Sequence, residues 1–406
     1  MDGRQLRKVF DGFCPFDESL QLKPEDQQVT ILAANSNNWW ETRAFVMAAS
    51  MGKQSPVIVQ FSYNSNIKIG GDPNTIWVPE GICYGANAVV NGAKANADWI
   101  AMEAEAWGAD YVAVSLDHFK VPEYEPDKQY RTNATPFDYA GQVVEAMDFL
   151  RDKGLDRIVD EVDDAAFQSY VDYLASTEYQ GFRADFMDTV SIMDPAWGMI
   201  DTEGIPFVLD FAITRDFATG VRIGLGNSHM MLEAELGATG TSGDDIAYEP
   251  MTGAELDEFA ALAAAFVDYT GAEGIAYDIG MKHAAKADEK HPADENKLET
   301  VQRTIIENTG VYAAYAQHGG TGAAEVARGL VGKTNVNTAF LVAGSIARAK
   351  HFADAGEKVE AGDKKVCGTN VETHTYLEAV YNSCVERYQT TGSYETGDRV
   401  AKLLAQ

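Results

Sequence analysis

The chain has 406 residues, 46% hydrophobic and 23% charged, enough to bury a large core in one big domain or in two or three ordinary ones. Its 32 basic and 62 acidic residues give a formal net charge of -30, which disfavours non-specific binding to nucleic acid or to an anionic membrane. An anionic substrate would then need a locally positive site, made of metal, backbone N–H groups or a few Lys and Arg.

The first 28 residues are polar and mixed, with Phe10, Phe13 and Phe16 expected to cap the base of a core. Strand-like runs follow at 29–35 and 56–62, separated by a helical segment from about 39 to 51. Residues 63–71 read as a polar Gly/Asn-rich loop, and 81–108 as a long Ala-rich helix with Trp99 and Trp107. The third strand is Val112-Ala113-Val114-Ser115-Leu116, which runs without a spacer into Asp117 and His118. Helical patterns with acidic faces occupy 137–153 and 160–176. Strand four is expected at Thr189–Met193, and 206–213 is ambiguous. Strand five spans 229–236, a helix 253–268, strand six 275–280, strand seven 312–317 and strand eight 333–337.

Eight strand candidates separated mostly by helical patterns predict parallel βαβ units, and the length suits a (β/α)8 TIM barrel enlarged by insertions. An open doubly wound sheet would carry a Gly-rich turn after the first strand, and Asn35-Ser36-Asn37-Asn38 is not one. With no repeat, low-complexity tract or linker, a single domain over 1–406 is expected. It would carry a helical insertion at about 120–187, between strands three and five, which covers the site or makes subunit contacts. The four cysteines, Cys14, Cys83, Cys367 and Cys384, lack CxxC spacing and suggest free thiols. No apolar run approaches about 18 residues and no apolar leader follows Met1, so a cytoplasmic protein is expected.

In a parallel α/β barrel the carboxyl ends of the strands carry the chemistry. Of seven histidines, His118, His283 and His318 fall there. One strand-end histidine is commonly a hydrogen-bonded core residue. Three fit a catalytic zinc site that keeps a position open. Glu233 and Glu235 flank Ala234 and so share one face of a strand, and Glu235 is the better candidate for a metal or catalytic carboxylate. Gly319-Gly320-Thr321-Gly322 precedes a helical pattern at 323–328 and could present N–H groups to a phosphate. Gly332-Lys333-Thr334-Asn335-Val336-Asn337-Thr338 adds a polar strand end beside it.

The ordered set of Asn35, Gln60-Phe61-Ser62, Val78-Pro79-Glu80-Gly81, Leu116-Asp117-His118, Leu232 to Gly237, His283, His318 to Gly322 and Asn335 to Thr338 resembles the class II, metal-dependent fructose-bisphosphate aldolases. The resemblance covers roughly 29–119 and 229–340. It implies that His118, His283 and His318 hold Zn2+ or another divalent metal, that Glu235 serves an alternative metal position, and that Asp117 is the acid/base group at the C4 hydroxyl. Asn35, Ser62, Gly319, Gly320, Thr321, Gly322, Asn335, Asn337 and Thr338 would bind substrate. It further implies a monovalent cation as an optional addition, a role in carbohydrate metabolism, a phosphorylated sugar as the partner molecule, and a homodimer or homotetramer.

The chain departs from the family in several places. The stretch from His118 to Glu235 is long. Ala284 follows the second histidine where the family has Gly, and Asn337 replaces an Asp. Thr241-Ser242-Gly243-Asp244-Asp245 stands in place of adjacent glutamates, so Asp244, Asp245 and Glu249 are candidates for proton abstraction. A different sugar phosphate, such as tagatose bisphosphate, is one alternative reading. Others are a metal-dependent hydrolase on the same fold and a barrel retained only for binding.

Overall fold

The computed structural model describes residues 1–79, 87–237, 248–282, 289–368 and 370–406. Eight strands close into one barrel in sequence order: β1 (Ile31–Asn35), β2 (Val57–Ser62), β3 (Val112–Lys120), β4 (Trp197–Asp201), β5 (Met231–Glu235), β6 (Gly274–Ala276), β7 (Ala314–Gln317) and β8 (Lys333–Val336). All neighbours pair in parallel, and β8 closes the ring against β1. Both faces of the strands are covered, so β1 is apolar without alternation over Ile31–Ala34.

Side chains fill the barrel interior in layers. Ile31, Ala33, Ile58, Ala113, Trp197, Met231, Ala276, Ala314 and Ala316 form the lower part. Helix Gly3–Phe13, capped by Asp2 onto the Gln5 N–H, packs Leu6, Val9, Phe10 and Phe13 against them and seals the amino-terminal end. Phe10 meets Trp197 with ring centroids 5.2 Å apart. Phe16 belongs instead to the outer core between barrel and helices.

The structure corrects several expectations from the sequence. Thr189–Met193 is the last stretch of helix Thr177–Met193, and the fourth strand is Trp197–Asp201. The ambiguous run at 206–213 lies in helix Phe207–Thr219. Residues 63–71 hold helix Tyr63–Ile69, started by the Ser62 hydroxyl accepting from the Ser65 N–H. The expected helix at 323–328 does not form. Its start is tied across to His291, and the Arg328 guanidinium donates to the Thr390 carbonyl. The Ala-rich helix runs over Ala88–Trp107, while Glu80 and Gly81 lie outside the described residues.

The insertion lies between β3 and β4. Its helices Tyr139–Asp152, Asp164–Leu174 and Thr177–Met193 start at Asp138, Asp163 and Ser176, each accepting from a first-turn N–H. It is fastened to helix Phe207–Thr219 by Arg183 Nε on Asp216 at 2.7 Å and by the Tyr179 hydroxyl on Asp216 at 2.9 Å. Among the described residues, none from 121 to 200 lines the cleft described below. Cys14, Cys367 and Cys384 are free thiols, and Cys83 lies outside the described residues. No described helix is long and apolar enough to cross a membrane.

Candidate active site

At the carboxyl end of the barrel the interior changes from apolar to polar. A cleft of about 460 Å³ opens there. It is lined by Asn35, Ser62, Asn64, Asp117, His118, Lys120, Asp201, Glu203 and His318, and on the β7–β8 side by Gly319, Thr321, Asn335, Asn337 and Thr338.

Asp117 and His118 are neighbours, and side chains of neighbours on a regular strand point to opposite faces. The strand does not end at this pair. It is bulged: the register against β4 shifts between Leu116 and Phe119, and His118 adopts φ +45°. A bulge with one left-handed residue re-aims the chain, and histidine tolerates that conformation better than most residues. Both side chains thus reach the cleft.

Asp117 is fully buried. Its Oδ2 accepts from Asn35 Nδ2 at 2.6 Å and its Oδ1 from Asn335 Nδ2 at 3.2 Å. Asn35 accepts in turn from the Gln60 amide, and Lys333 Nζ reaches Gln60 Oε1 at 3.4 Å. Lys333 Nζ lies 2.6 Å from Glu233 Oε2, and Glu233 Oε1 is 2.9 Å from His318 Nε2. Trp197 Nε1 also donates to Glu233 Oε2, at 2.6 Å. A continuous buried polar network therefore joins Asp117 to His318 through the barrel interior. Burial disfavours the Glu233 charge, but Lys333 and then His318 outweigh it and hold the carboxyl well below the usual range.

The rings of His118 and His318 meet edge to face, centroids 4.6 Å apart. His118 Nδ1 is 2.8 Å from Asp201 Oδ2. Burial disfavours its cation, but Asp117, the bond and charge of Asp201, and Glu233 outweigh burial and push its pKa up to about 9. Asp201 responds in the opposite sense. Burial raises it, but His118 dominates and holds it well below the usual carboxylate range. Glu235 is buried and interacts with Asp201 at the same level.

His283, Asp244 and Asp245 lie outside the described residues. Glu249 is exposed and does not line the cleft. Among the described residues no group of three or more His, Cys, Asp or Glu side chains is arranged to hold a metal ion. The donor chemistry of the two described imidazoles nevertheless fits one. Each ring has a carboxylate on one nitrogen. A neutral ring that donates there carries its lone pair on the other, Nε2 of His118 and Nδ1 of His318, which is the usual second shell of a metal-ligating histidine. Asp201 adds negative charge that a divalent cation would offset, while Glu233 already has Lys333.

The predicted substrate residues divide into two groups. Gly319, at φ +68°, has no room for a side chain, because a Cβ would lie 2.6 Å from the Lys282 carbonyl oxygen. Gly320 and Gly322 are buried and do not line the cleft, and the Gly322 N–H donates to the Gly319 carbonyl and shapes the turn. The Thr321 hydroxyl accepts from the Ala339 N–H in the first turn of helix Thr338–Glu360. Asn337 Oδ1 accepts from Asn37 Nδ2 at 2.8 Å, and Asn37 is held by Glu41.

The sequence did not single out Asp201, because its strand was misassigned, nor Glu233, because Glu235 was preferred. Lys333 and Gln60 were visible only as parts of strand motifs. An inward-facing lysine on an otherwise buried strand was the one signal that could have found the Glu233 pair.

No protein-family model and no curated protein matches the sequence. Among solved structures, the chain is similar to the fructose-bisphosphate aldolase of Campylobacter jejuni at 15% identity and a TM-score of 0.61, over 97% of this chain and 96% of that one. A candidate fructose-1,6-bisphosphate aldolase from Coccidioides immitis is also similar, at 15% identity and a TM-score of 0.49, over 91% of this chain and 94% of that one. The fructose-bisphosphate aldolases, to which the sequence motifs pointed, are thus also where the fold finds its likeness.

Proposed function

We propose that the protein is a metal-dependent aldolase. It would cleave a ketose (bis)phosphate, fructose 1,6-bisphosphate by preference, to dihydroxyacetone phosphate and glyceraldehyde 3-phosphate, and run the reverse condensation. The carrying observation is the buried Asp117 carboxylate, gripped by Asn35 and Asn335 beside two carboxylate-backed imidazoles at the barrel mouth.

His118, His318 and, from the sequence, His283 would hold the ion, with Glu235 in reserve. When bound, a divalent ion such as zinc supplies a Lewis acid for the negative charge that develops beside the breaking C–C bond. Asp117 carries the proton step by accepting the proton of the C4 hydroxyl as the bond breaks and returning it in the condensation. Its two amide donors keep the carboxylate from rotating away, and its burial keeps water from competing for the proton. The phosphate belongs at Gly319, Thr321, Asn337 and Thr338, where helix Thr338–Glu360 begins and its N-terminal N–H groups favour an anion.

Incubation with phosphorylated ketoses tests this reading. Release of dihydroxyacetone phosphate that a chelator abolishes and a divalent ion restores is the expected result. No release from any of them by metal-loaded protein would overturn it.

A further inference from the structure

Outside the barrel, where β5 and β6 meet helices Ala254–Thr270 and Glu295–Thr309, lies a second cavity of about 330 Å³ that shares no lining residue with the cleft among the described residues. Phe207, Leu236, Met251, Phe259 and Leu262 make its wall apolar. Lys297, 2% exposed, enters it from the first turn of helix Glu295–Thr309. Its Nζ lies 4.3 Å from the ring centroid of Phe259, 5.7 Å from that of Tyr277 and 6.0 Å from that of Tyr248. Among the described residues this amine makes no hydrogen bond and no ion pair. The comparison within the molecule is Lys333, equally buried, whose Nζ is matched by Glu233 at 2.6 Å.

Aromatic faces attract the Lys297 cation but do not occupy its N–H donors as a carbonyl or carboxylate would, so the donor is available to a ligand. Asp278 lines the same cavity, with Oδ1 accepting from the Gly280 N–H at 2.8 Å. Arg157 is tied to Glu258 at 2.8 Å, which leaves Lys297 with the neighbouring carboxylates of Asp278, Asp294 and Glu255. An anion would be repelled by that excess of carboxylates. A chamber of this size with an apolar wall and a few charged groups at hand, the Lys297 amine among them, has the composition of a small-molecule site.

We propose that this cavity binds a small neutral ligand with a flat apolar body and an amide-like group. The carbonyl of that group accepts from Lys297 Nζ, and its N–H donates to Asp278. Fluorine NMR with 4-fluorobenzamide as the probe tests this on the full chain. Saturable broadening is expected, weakened at least about tenfold in Lys297→Met and not displaced by fructose 1,6-bisphosphate. Leu262→Trp, which fills the chamber, should abolish binding and serves if the methionine variant does not fold. Absence of saturable binding, equal binding to Lys297→Met, displacement by the sugar phosphate, or tighter binding of 4-fluorobenzoate would each overturn the proposal.

Discussion

Replacing Lys333 with methionine isolates a fully buried charge pair in the barrel interior. Lys333 and Glu233 meet at 2.6 Å with both side chains fully buried. In the variant, Glu233 keeps the Trp197 N–H at 2.6 Å and His318 at 2.9 Å but loses its cation. Removing one member of a buried pair typically costs about 3–5 kcal/mol. The sign with pH follows from the depressed carboxyl of Glu233. Its stabilisation is present above the unfolded value of about 4.3 and is lost as pH falls through the folded value. Without Lys333 that depression shrinks, so stability at pH 7 falls while the acid limb becomes shallower. Urea unfolding of the wild type, Lys333→Met, Glu233→Gln and the double variant between pH 3 and pH 7 measures both effects. The double variant should cost less than the two singles combined, by a coupling of about 0.5–3 kcal/mol. Strict additivity, or a loss below about 1 kcal/mol in Lys333→Met, would refute the buried-pair reasoning.

Metal analysis after dialysis should find about one divalent ion per chain, lost in His118→Ala and in His318→Ala, and full retention in both would remove the imidazole site. Asp117→Asn should keep the metal yet lose about 10²–10⁴ in C–C cleavage, while solvent exchange of the dihydroxyacetone phosphate C–H proton falls less. Equal losses in both assays, with metal present, would reduce Asp117 to a structural role. Asp210 is fully buried with the Thr214 hydroxyl at 3.2 Å, and burial raises its pKa well above the usual value against the pull of Thr202 and Thr214. A raised carboxyl binds its proton more tightly when folded, so its effect is a loss of stability as pH climbs above the unfolded value. Asp210→Asn should remove that loss, and an unchanged slope of the unfolding midpoint between pH 5 and pH 9 would contradict it. Gly274→Ala would set a methyl 2.4 Å from Trp197 Cζ2 and should cost about 1–3 kcal/mol, read by the same urea titration, with a neutral result counting against the tight fit.

Much of the barrel was legible because its strands are short apolar runs bounded by polar turns, and because Asp117, His118 and His318 sit where such runs end. The failure at β4 has a physical cause. Thr189-Val190-Ser191-Ile192-Met193 has the β-branched composition of a strand, yet Val190 and Met193 bury one face of a helix begun at Ser176. Trp197-Gly198-Met199-Ile200-Asp201 has a glycine and an acid but is buried on both sides, where packing rather than propensity selects the strand. Asp201 was lost with it. The bulge at His118 was not visible, because it depends on where β4 pairs. The Glu233–Lys333 contact joins β5 to β8 across the interior with two strands between them, and no local pattern encodes which buried acid meets which buried base.

That contact also bears on how the ring closes. A strand slipped by one residue turns all of its side chains over, and in β8 this would carry Lys333 to the outer face and bring Thr334 inside. Thr334 is instead matched outside by Gln317 of β7, through a hydroxyl bond of 2.9 Å. The last strand therefore carries a two-sided register check, with an ion pair on the inner face and a hydroxyl–amide bond on the outer. Any arrangement with β8 out of register would leave Glu233 buried without its cation. Native closure of the ring and neutralisation of the Glu233 carboxylate therefore depend on the same strand register.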